Sequence, residues 1–272
     1  MRLYPNNNVV SATFPGLAGR PVTFSASGMV PGRPEETIVS GIVLDNSDNP
    51  IPGATVSIKE TTLQAITDDQ GQFTISGPGV PVGTIIVRID GATSTRPETF
   101  PFLEFELTTV SGQENTVGMP IRLPALDAES SQIVGGDEDV TLTMANVPGL
   151  SLTVFANSAT FPDGSKTGRV TITQVHLDKI PMPPPNGSVF MPPAWTIQPA
   201  GVTFDPPARI TIPNDGLAPG TIIDIFQFDH DLGEFVNVGA GTVVPDGSII
   251  VSDPGFGISK TGWGGCGMPP PP

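Results

Sequence analysis

Residue types that carry hydrolytic chemistry are scarce in this sequence. Acyl transfer needs a nucleophile, a base within hydrogen-bond distance and a group that orients the base. The sequence contains one cysteine, Cys266, and two histidines, His176 and His230, and it has no Gly-x-Ser-x-Gly motif. Cys266 lies in a glycine-rich segment that offers nothing to hold a base beside it. We therefore predict that the protein is not an enzyme.

The surroundings of the two histidines also argue against a zinc peptidase. Such sites need His and Glu at a fixed spacing, so that both side chains serve one ion. His176 is followed by Leu-Asp-Lys and His230 by Asp-Leu-Gly-Glu, and neither sequence has the required spacing. Asp229, His230 and Asp231 could hold a transition metal together with His176 if their strands pair. A solvated His230 in a hairpin turn is the favoured interpretation.

Acidic residues cluster in two turns that are expected to flank neighbouring strands. Asp45 and Asp48 lie in the first turn, and Asp68 and Asp69 lie in the second. If the turns meet, their carboxylates could bind calcium, which takes about six to eight oxygen ligands. The favoured interpretation is that these residues cap their own turns, because Asp side chains accept hydrogen bonds from nearby backbone groups. No other cofactor is predicted.

Exposed aromatic side chains could stack on sugar rings, which is how many glycan-binding modules hold their ligands. The sequence has two tryptophans, Trp195 and Trp263, and one tyrosine, Tyr4. Trp195 begins an alternating segment and is predicted to lie in the core. Trp263 lies between glycines and is the better candidate for an exposed, ligand-binding side chain, although it could instead fold back to cap a sandwich.

The elements that would position these residues are β-strands. Within residues 40–75 apolar residues recur at alternate positions, as in Ala54, Val56 and Ile58, which is the period of a half-buried strand. Polar turns separate these runs, and Gly71 is expected to supply the positive φ of a tight hairpin. The chain has 32 Pro and 32 Gly among its 272 residues. Long helices are therefore disfavoured, because proline inside a helix costs about 3 kcal/mol.

The sequence predicts an all-β fold with two consecutive antiparallel β-sandwich modules. A chain of this length can form two domains, and alternating segments joined by turns continue almost to its end. The modules are predicted at residues 36–123 and 137–258, with a linker at 124–136. Residues 1–35 are predicted to be a short N-terminal strand segment. Residues 259–272 are predicted to be a Gly/Pro-rich tail that acts as a semi-rigid spacer.

Three motifs follow one another within residues 41–75: G-x-V-x-D, then P-x-x-G-A-x-V-x-I, then T-D-x-x-G-x-F-x-I. This pattern resembles the carboxypeptidase regulatory-like family, whose members are small transthyretin-like β-sandwiches. The resemblance implies an accessory module without the catalytic domain that gives the family its name. The residues that match are Gly41, Val43, Asp45, Pro50, Gly53, Ala54, Val56, Ile58, Thr67, Asp68, Gly71, Phe73 and Ile75.

The second predicted module contains WTIQPAGVTFDPPARITIPN, followed by IFQFDHDLGEFVNVGAGTVVPDGSIIV. This order is similar to ZU5-like β-sandwich modules of bacterial surface proteins. The pairing of the two modules, ending in GISKTGWGGC and polyproline, resembles N-terminal segments of Rhs/YD-repeat surface proteins. The resemblance implies that other domains of the same parent chain are the principal partners.

Composition restricts the partners and the location. A formal net charge of −15 argues against nucleic acid and against anionic membrane surfaces. Only 14% of the residues are charged, which is typical of extracellular β-modules. The start of the chain does not resemble a signal peptide, and no apolar run approaches the roughly 18 residues of a membrane helix. We predict a piece of a longer extracellular or cell-surface protein, with no direct membrane insertion.

Three functions fit these observations. The favoured one is a non-enzymatic extracellular structural module, a spacer or stalk that presents other domains of a larger bacterial surface or secreted protein. The first alternative is a module that binds calcium or glycan, with a protein or glycan at the cell surface as partner. The second is a fibre subunit that assembles by strand exchange, because residues 1–35 contain strands that belong to no complete domain.

Overall fold

The computed structural model describes residues 36–180, 182, 189–230 and 232–268, and the strands within residues 3–26. In this part of the chain the secondary structure consists of strands and two three-residue 3-10 helices, Gly91–Thr93 and Leu177–Lys179. The predicted all-β fold is therefore confirmed. A membrane-spanning helix is absent from these described residues. The strands are β1 (Leu3–Asn6), β2 (Val9–Pro15), β3 (Pro21–Ala26), β4 (Ile38–Leu44), β5 (Thr55–Ile58), β6 (Gln64–Ile66), β7 (Gln72–Ser76), β8 (Gly83–Asp90), β9 (Phe102–Thr109), β10 (Glu114–Thr116), β11 (Ile121–Arg122), β12 (Gln132–Val134), β13 (Val140–Thr143), β14 (Ser151–Val154), β15 (Ala159–Thr160), β16 (Gly168–Val175), β17 (Val189–Gln198), β18 (Thr203–Pro213), β19 (Ile222–Asp229), β20 (Glu234–Val243), β21 (Ile249–Ser252), β22 (Ile258–Lys260) and β23 (Trp263–Met268).

The N-terminal segment contains strands, as predicted. Strands β1, β2 and β3 form an antiparallel sheet of their own, with β2 in the middle. In the described part of the chain these strands pair only with one another. Self-assembly by strand exchange stays a prediction.

The first module, residues 36–123, is a sandwich of two four-stranded sheets. One sheet has the order β6-β5-β8-β9, and in the other β4 pairs with β7, β10 and β11. Alternate residues point inward, as Phe73 and Ile75 of β7 do, and both side chains are buried. Strands β10 and β11 run parallel to β4, which corrects the prediction of a purely antiparallel module. Both strands follow β9 of the opposite sheet, and such a crossover allows parallel pairing.

The turns of this module are built by the residues of the three sequence motifs. Gly71 has φ +73°, as predicted for the hairpin that leads into β7. A Cβ at this position would overlap the carbonyl oxygen of Val43, so the close approach of the two chains requires glycine. Asp45 closes the preceding turn, because its carboxylate accepts hydrogen bonds from the backbone N–H groups of Ser47 (2.8 Å) and Asn49 (2.9 Å).

The second module, residues 132–268, is one large antiparallel sheet that folds over onto itself. Its strands follow the order β12-β16-β17-β23-β19-β20-β21-β18-β14-β13, and β15 and β22 also pair with β18. The two ends of this order, β12 and β13, lie next to each other. The sheet encloses an apolar core that includes Leu142, Ile172, Ile210 and, as predicted, Trp195.

The structure corrects the predicted linker and tail. Residues 132–134 of the linker form β12, which pairs with β16. Residues 263–268 of the tail form β23, which lies between β17 and β19 and pairs with both. Its glycines allow close packing, since a Cβ on Gly264 would overlap the Trp195 indole. Residues 269–272 lie outside the described residues.

The two modules share one apolar core. The buried cluster of the first module, which includes Val56, Val87 and Phe105, continues into side chains of the second module. The Trp263 indole Nε1 donates a hydrogen bond across the junction to the backbone carbonyl of Phe102, at 3.1 Å. The second-module members of this cluster are Val175, Met182, Ala194, Phe226, Phe228, Phe235 and Trp263.

Candidate functional site

A cleft of about 1060 Å³ lies where the two modules meet. We call it the inter-module cleft. Its walls come from β8, β9 and Lys59, which directly follows β5, in the first module, and from β16, β17, β22 and the β19–β20 turn in the second. It contains four of the chain's 12 Lys and Arg residues but only four of its 27 Asp and Glu residues. The basic residues are Lys59, Arg88, Arg169 and Lys260, and the acidic ones are Asp90, Glu98, Glu104 and Asp127.

Glu104 lies at the centre of the charged groups in this cleft. Leu103 and Phe105 of β9 point into the first module, so the alternation directs Glu104 outward. The second module covers this outer face, and Glu104 is only 4% exposed. Its carboxylate accepts a hydrogen bond from Nε of Arg88, which lies directly opposite on β8. The Lys59 Nζ lies 3.9 Å from Glu104 Oε2.

His230 enters the cleft from the second module and is 6% exposed. Its Nδ1 lies 3.6 Å from Glu104 Oε2. The ring packs against Phe228, with centroids 5.2 Å apart, and faces Phe102 at 6.0 Å. Neither ring nitrogen has a hydrogen-bond partner among the described residues. The structure thus corrects the prediction of a solvated histidine, because the first module covers the turn in which His230 lies.

Burial sets the protonation of His230. Removal from water lowers the pKa of the imidazole below its ordinary value of 6.5, more than the nearby Glu104 carboxylate raises it. Lys260 and Lys59 lower the pKa further, whereas Asp229 raises it. The ring is therefore neutral at neutral pH, with one nitrogen as a donor and the other as an acceptor. The cleft therefore combines positively charged Lys and Arg side chains with one neutral imidazole, which can both donate and accept a hydrogen bond.

Cys266, the only thiol, is not placed for catalysis. It lies in β23 and is fully buried in the core of the second module. Burial raises its pKa to about 12, so the thiol is protonated at neutral pH. Because the thiolate is the nucleophilic form, Cys266 is inert in this state.

The structure does not gather the predicted calcium ligands into a site. No group of three or more His, Cys, Asp or Glu side chains within the described residues is placed to hold a metal ion. The carboxylate of Asp45 is occupied by its own turn and by Arg96 Nη1, at 2.7 Å. Asp48 forms an ion pair with Arg122 at 2.8 Å. Asp68 and Asp69 lie on an exposed turn.

The carboxylates of Asp45 and Asp68 accept hydrogen bonds that hold them in their turns. Asp68 accepts from the backbone N–H groups of Gln70 and Gln72, at 2.9 and 2.8 Å. Burial alone would raise the pKa of Asp45, but hydrogen bonds from Arg96 and Asn49 outweigh it and hold the pKa below its usual value. Asp45 and Asp68 therefore have the capping role that was the favoured interpretation.

Trp263 is not available for stacking on a sugar, which corrects the ligand prediction. Its side chain is 1% exposed and packs in the shared core of the two modules. His176 is exposed and precedes a 3-10 helix, and it forms no metal-binding group with Asp229 and His230 in the described structure. Asp231 lies outside the described residues.

Sequence reasoning missed the charged residues of the cleft itself, namely Lys59, Arg88, Glu104 and Lys260. A local signal existed in the segment FLEFEL, where Glu104 alternates with apolar residues in the manner of an outward-facing position. That pattern predicts a solvated carboxylate. Only the packing of the second module turns it into a buried one.

Comparison with protein families supports the predicted family resemblance of the first module. Residues 39–99 match the family model described as CarboxypepD_reg-like domain, which confirms the predicted resemblance for that part of the chain. The ZU5-like character of the second module and the Rhs/YD-repeat context remain predictions. A comparison with curated protein sequences gave no match.

Two similar solved structures are type II cohesin–X-dockerin complexes from Acetivibrio cellulolyticus, formed by Coh3ScaB with XDoc of ScaA. One carries a C-terminal interface mutation and is 29% identical, with a TM-score of 0.24. The other carries an N-terminal interface mutation and is 32% identical, with a TM-score of 0.23. Each match covers 34% of this chain and 60% of the matched chain, so the similarity spans less than two thirds of those proteins.

Proposed function

We propose that this chain is a non-enzymatic accessory region of a larger bacterial surface or secreted protein, where it acts as a rigid spacer between other domains. The observation that carries this proposal is the apolar core shared by the two modules. Domains in one chain move relative to each other unless their interface is large and hydrophobic. A continuous core therefore supports a fixed arrangement of the two modules.

Packed aromatic side chains form part of the second module's surface at the junction. The Phe190 ring lies 4.9 Å from the Phe235 ring in an edge-on arrangement, and it lies 5.6 Å from the Phe226 ring. The rings of Phe228 and Phe235 are 5.2 Å apart. Each such pair contributes about 0.5–1.5 kcal/mol beyond the burial of its area. All four rings belong to the second module, and three of them, Phe226, Phe228 and Phe235, are buried in the core that it shares with the first module. Separating the modules would expose this aromatic surface.

The segment that connects the modules is also held in place. The backbone N–H of Leu126 donates to the carbonyl of Thr99 in the first module, at 2.8 Å. The next residue, Asp127, donates its N–H to the Thr173 hydroxyl in the second module, at 2.8 Å. Consecutive residues are thus bonded to different modules. This arrangement leaves little freedom for a hinge at the predicted linker.

Distance measurements test the rigidity of the pair. Nitroxide labels on Thr62→Cys and Asp215→Cys, one exposed site in each module, can be measured by double electron–electron resonance. The native Cys266 is buried and is not expected to take up label. We expect one narrow distance distribution for the otherwise unchanged protein. A broad or multi-peaked distribution would refute the rigid spacer.

Matched substitutions separate junction packing from general destabilisation. Phe235→Ala removes a ring from the junction, whereas Phe204→Ala removes a ring from the core of the second module alone. Each substitution is expected to cost about 3–5 kcal/mol. Only Phe235→Ala is expected to broaden the distance distribution. If the purified protein hydrolysed a peptide, ester or glycan, and a single substitution abolished this turnover, the non-enzymatic assignment would be wrong.

A further inference from the structure

The inter-module cleft contains a cation with unused hydrogen-bonding capacity. Within the described residues, Arg88 forms one hydrogen bond, from Nε to Glu104. The four N–H donors on its two terminal nitrogens have no protein partner there. Its side chain is 38% exposed, so it borders both the buried carboxylate and the open part of the cleft. A guanidinium fork in this position matches a carboxylate, which it can bind through two parallel hydrogen bonds.

His230 is a second, independent sign of a binding site. Buried polar groups in folded proteins nearly always have hydrogen-bond partners, and those without one require an explanation. Both nitrogens of His230 are buried and without a partner in the described structure, and the residue lines the same cleft as Arg88. The ring can donate to one ligand atom or accept from another. A bound polar molecule would satisfy at least one of these nitrogens.

The shape and charge of the cleft restrict the ligand. Its volume of about 1060 Å³ is slightly above the range that is usual for small-molecule sites, which is about 300–1,000 Å³. Phe102, Leu126 and Pro199 supply apolar surface, and Gln198 supplies an amide. Four acidic residues also line the cleft, so a dianion would meet more repulsion than a monoanion. One carboxylate is the anionic group that fits this balance best.

We propose that the inter-module cleft binds a small molecule with a single carboxylate, which pairs with the Arg88 guanidinium beside Lys59 while a polar group of the ligand reaches His230. This proposal is separate from the spacer function, since a rigid junction does not need a ligand. Because the site contains residues of both modules, the ligand would contact the two modules together.

Ligand titrations followed by NMR of the histidine rings test the proposal. D-glucuronate and benzoate are the carboxylate probes, and D-glucose and benzyl alcohol are their neutral counterparts at matched ionic strength. We expect a saturable shift of the His230 ring signals with at least one carboxylate and none with the neutral molecules. The exposed His176 serves as an internal control that should not shift. Glucuronate binding would indicate an acidic sugar, and benzoate binding an aromatic acid.

Two arginine substitutions provide the matched pair of variants. Arg88→Gln is expected to weaken binding by about 10- to 100-fold, because charge-assisted hydrogen bonds are lost. Arg122→Gln removes the same charge from a residue that pairs with Asp48 and does not line the cleft, and it should leave binding unchanged. If Arg88→Gln fails to fold, Arg88→Lys retains the charge without the fork and should still weaken binding. The absence of saturation with both carboxylates, or equal losses in the Arg88 and Arg122 variants, would overturn the proposal.

Discussion

Replacing His230 tests whether a neutral ring buried between the modules controls the pH dependence of stability. Burial lowers the pKa of His230 below 6.5, and the charged groups that face it are Glu104, Lys260, Asp229 and Lys59. In the unfolded chain the ring regains an ordinary pKa of about 6.5. Between the folded and the unfolded pKa, the unfolded state therefore binds more protons than the folded state.

The sign of the effect follows from this difference. Where the unfolded state binds more protons, the free energy of unfolding rises with pH. The contribution of neutral His230 is complete above pH of about 6.5 and is lost as pH falls from there toward the folded pKa. A single titrating side chain such as His230 can change the free energy of unfolding by at most about 1.4 kcal/mol per pH unit. Carboxylates add their own dependence mainly below pH of about 5.

Urea unfolding between about pH 7.5 and pH 5 measures this slope. We expect the unchanged protein to lose stability below about pH 6.5. His230→Gln should have lower stability at neutral pH, because ring contacts with Phe228 are lost, but it should lack the slope. His176→Gln is the control, since His176 is exposed, and it should retain the slope. A flat profile in the unchanged protein, or an equal slope in His230→Gln, would refute the reasoning.

Three further substitutions or truncations probe the fold. Gly71→Ala should lower stability by about 2–4 kcal/mol in thermal or urea melts, because its Cβ would meet a backbone carbonyl at positive φ. Gly79→Ala is the control and should change stability little, because its Cβ would make only an ordinary contact, 3.9 Å from Leu63 Cδ1. Deleting β23 should prevent the second module from folding, because the strand lies between β17 and β19 and pairs with both. The dispersion of NMR signals measures this, and a chain that ends at Met268 and keeps β23 is the control. Asp45→Ala should lower the free energy of unfolding by about 1–3 kcal/mol at neutral pH in urea melts. The loss should be smaller in acid, because the pKa of Asp45 is lowered in the folded protein and the stabilisation by its carboxylate therefore disappears as pH falls below about 3.9.

Local signals made the first module predictable. The alternation at Val56 and Ile58 places both side chains in the core, and Gly71 adopts the positive φ that its turn requires. The hydrogen bonds of Asp45 also stay within a few residues of sequence, apart from the one with Arg96. Strands, turns and caps of this kind depend on neighbouring residues, so a sequence pattern is enough to find them.

Strand β23 could not be predicted because its stability comes from distant residues. Glycine in a strand interior usually weakens the strand, and the segment WGGCGM therefore favours a loop on local grounds. In the structure Gly264 packs against the Trp195 indole and Gly265 against the Phe190 ring. Those partners lie far earlier in the sequence. The absence of side chains at these glycines is what permits the close packing.

The charged groups at the junction favour a role beyond spacing. Replacing a buried ion pair with well-packed apolar residues is often neutral or stabilising by about 1–4 kcal/mol. A junction that served only to join two modules would therefore gain little from burying the Glu104 carboxylate with Arg88 and Lys59 beside it. His230 adds two nitrogens that the described protein does not satisfy. A polar ligand that binds in the cleft would explain why these groups are placed together.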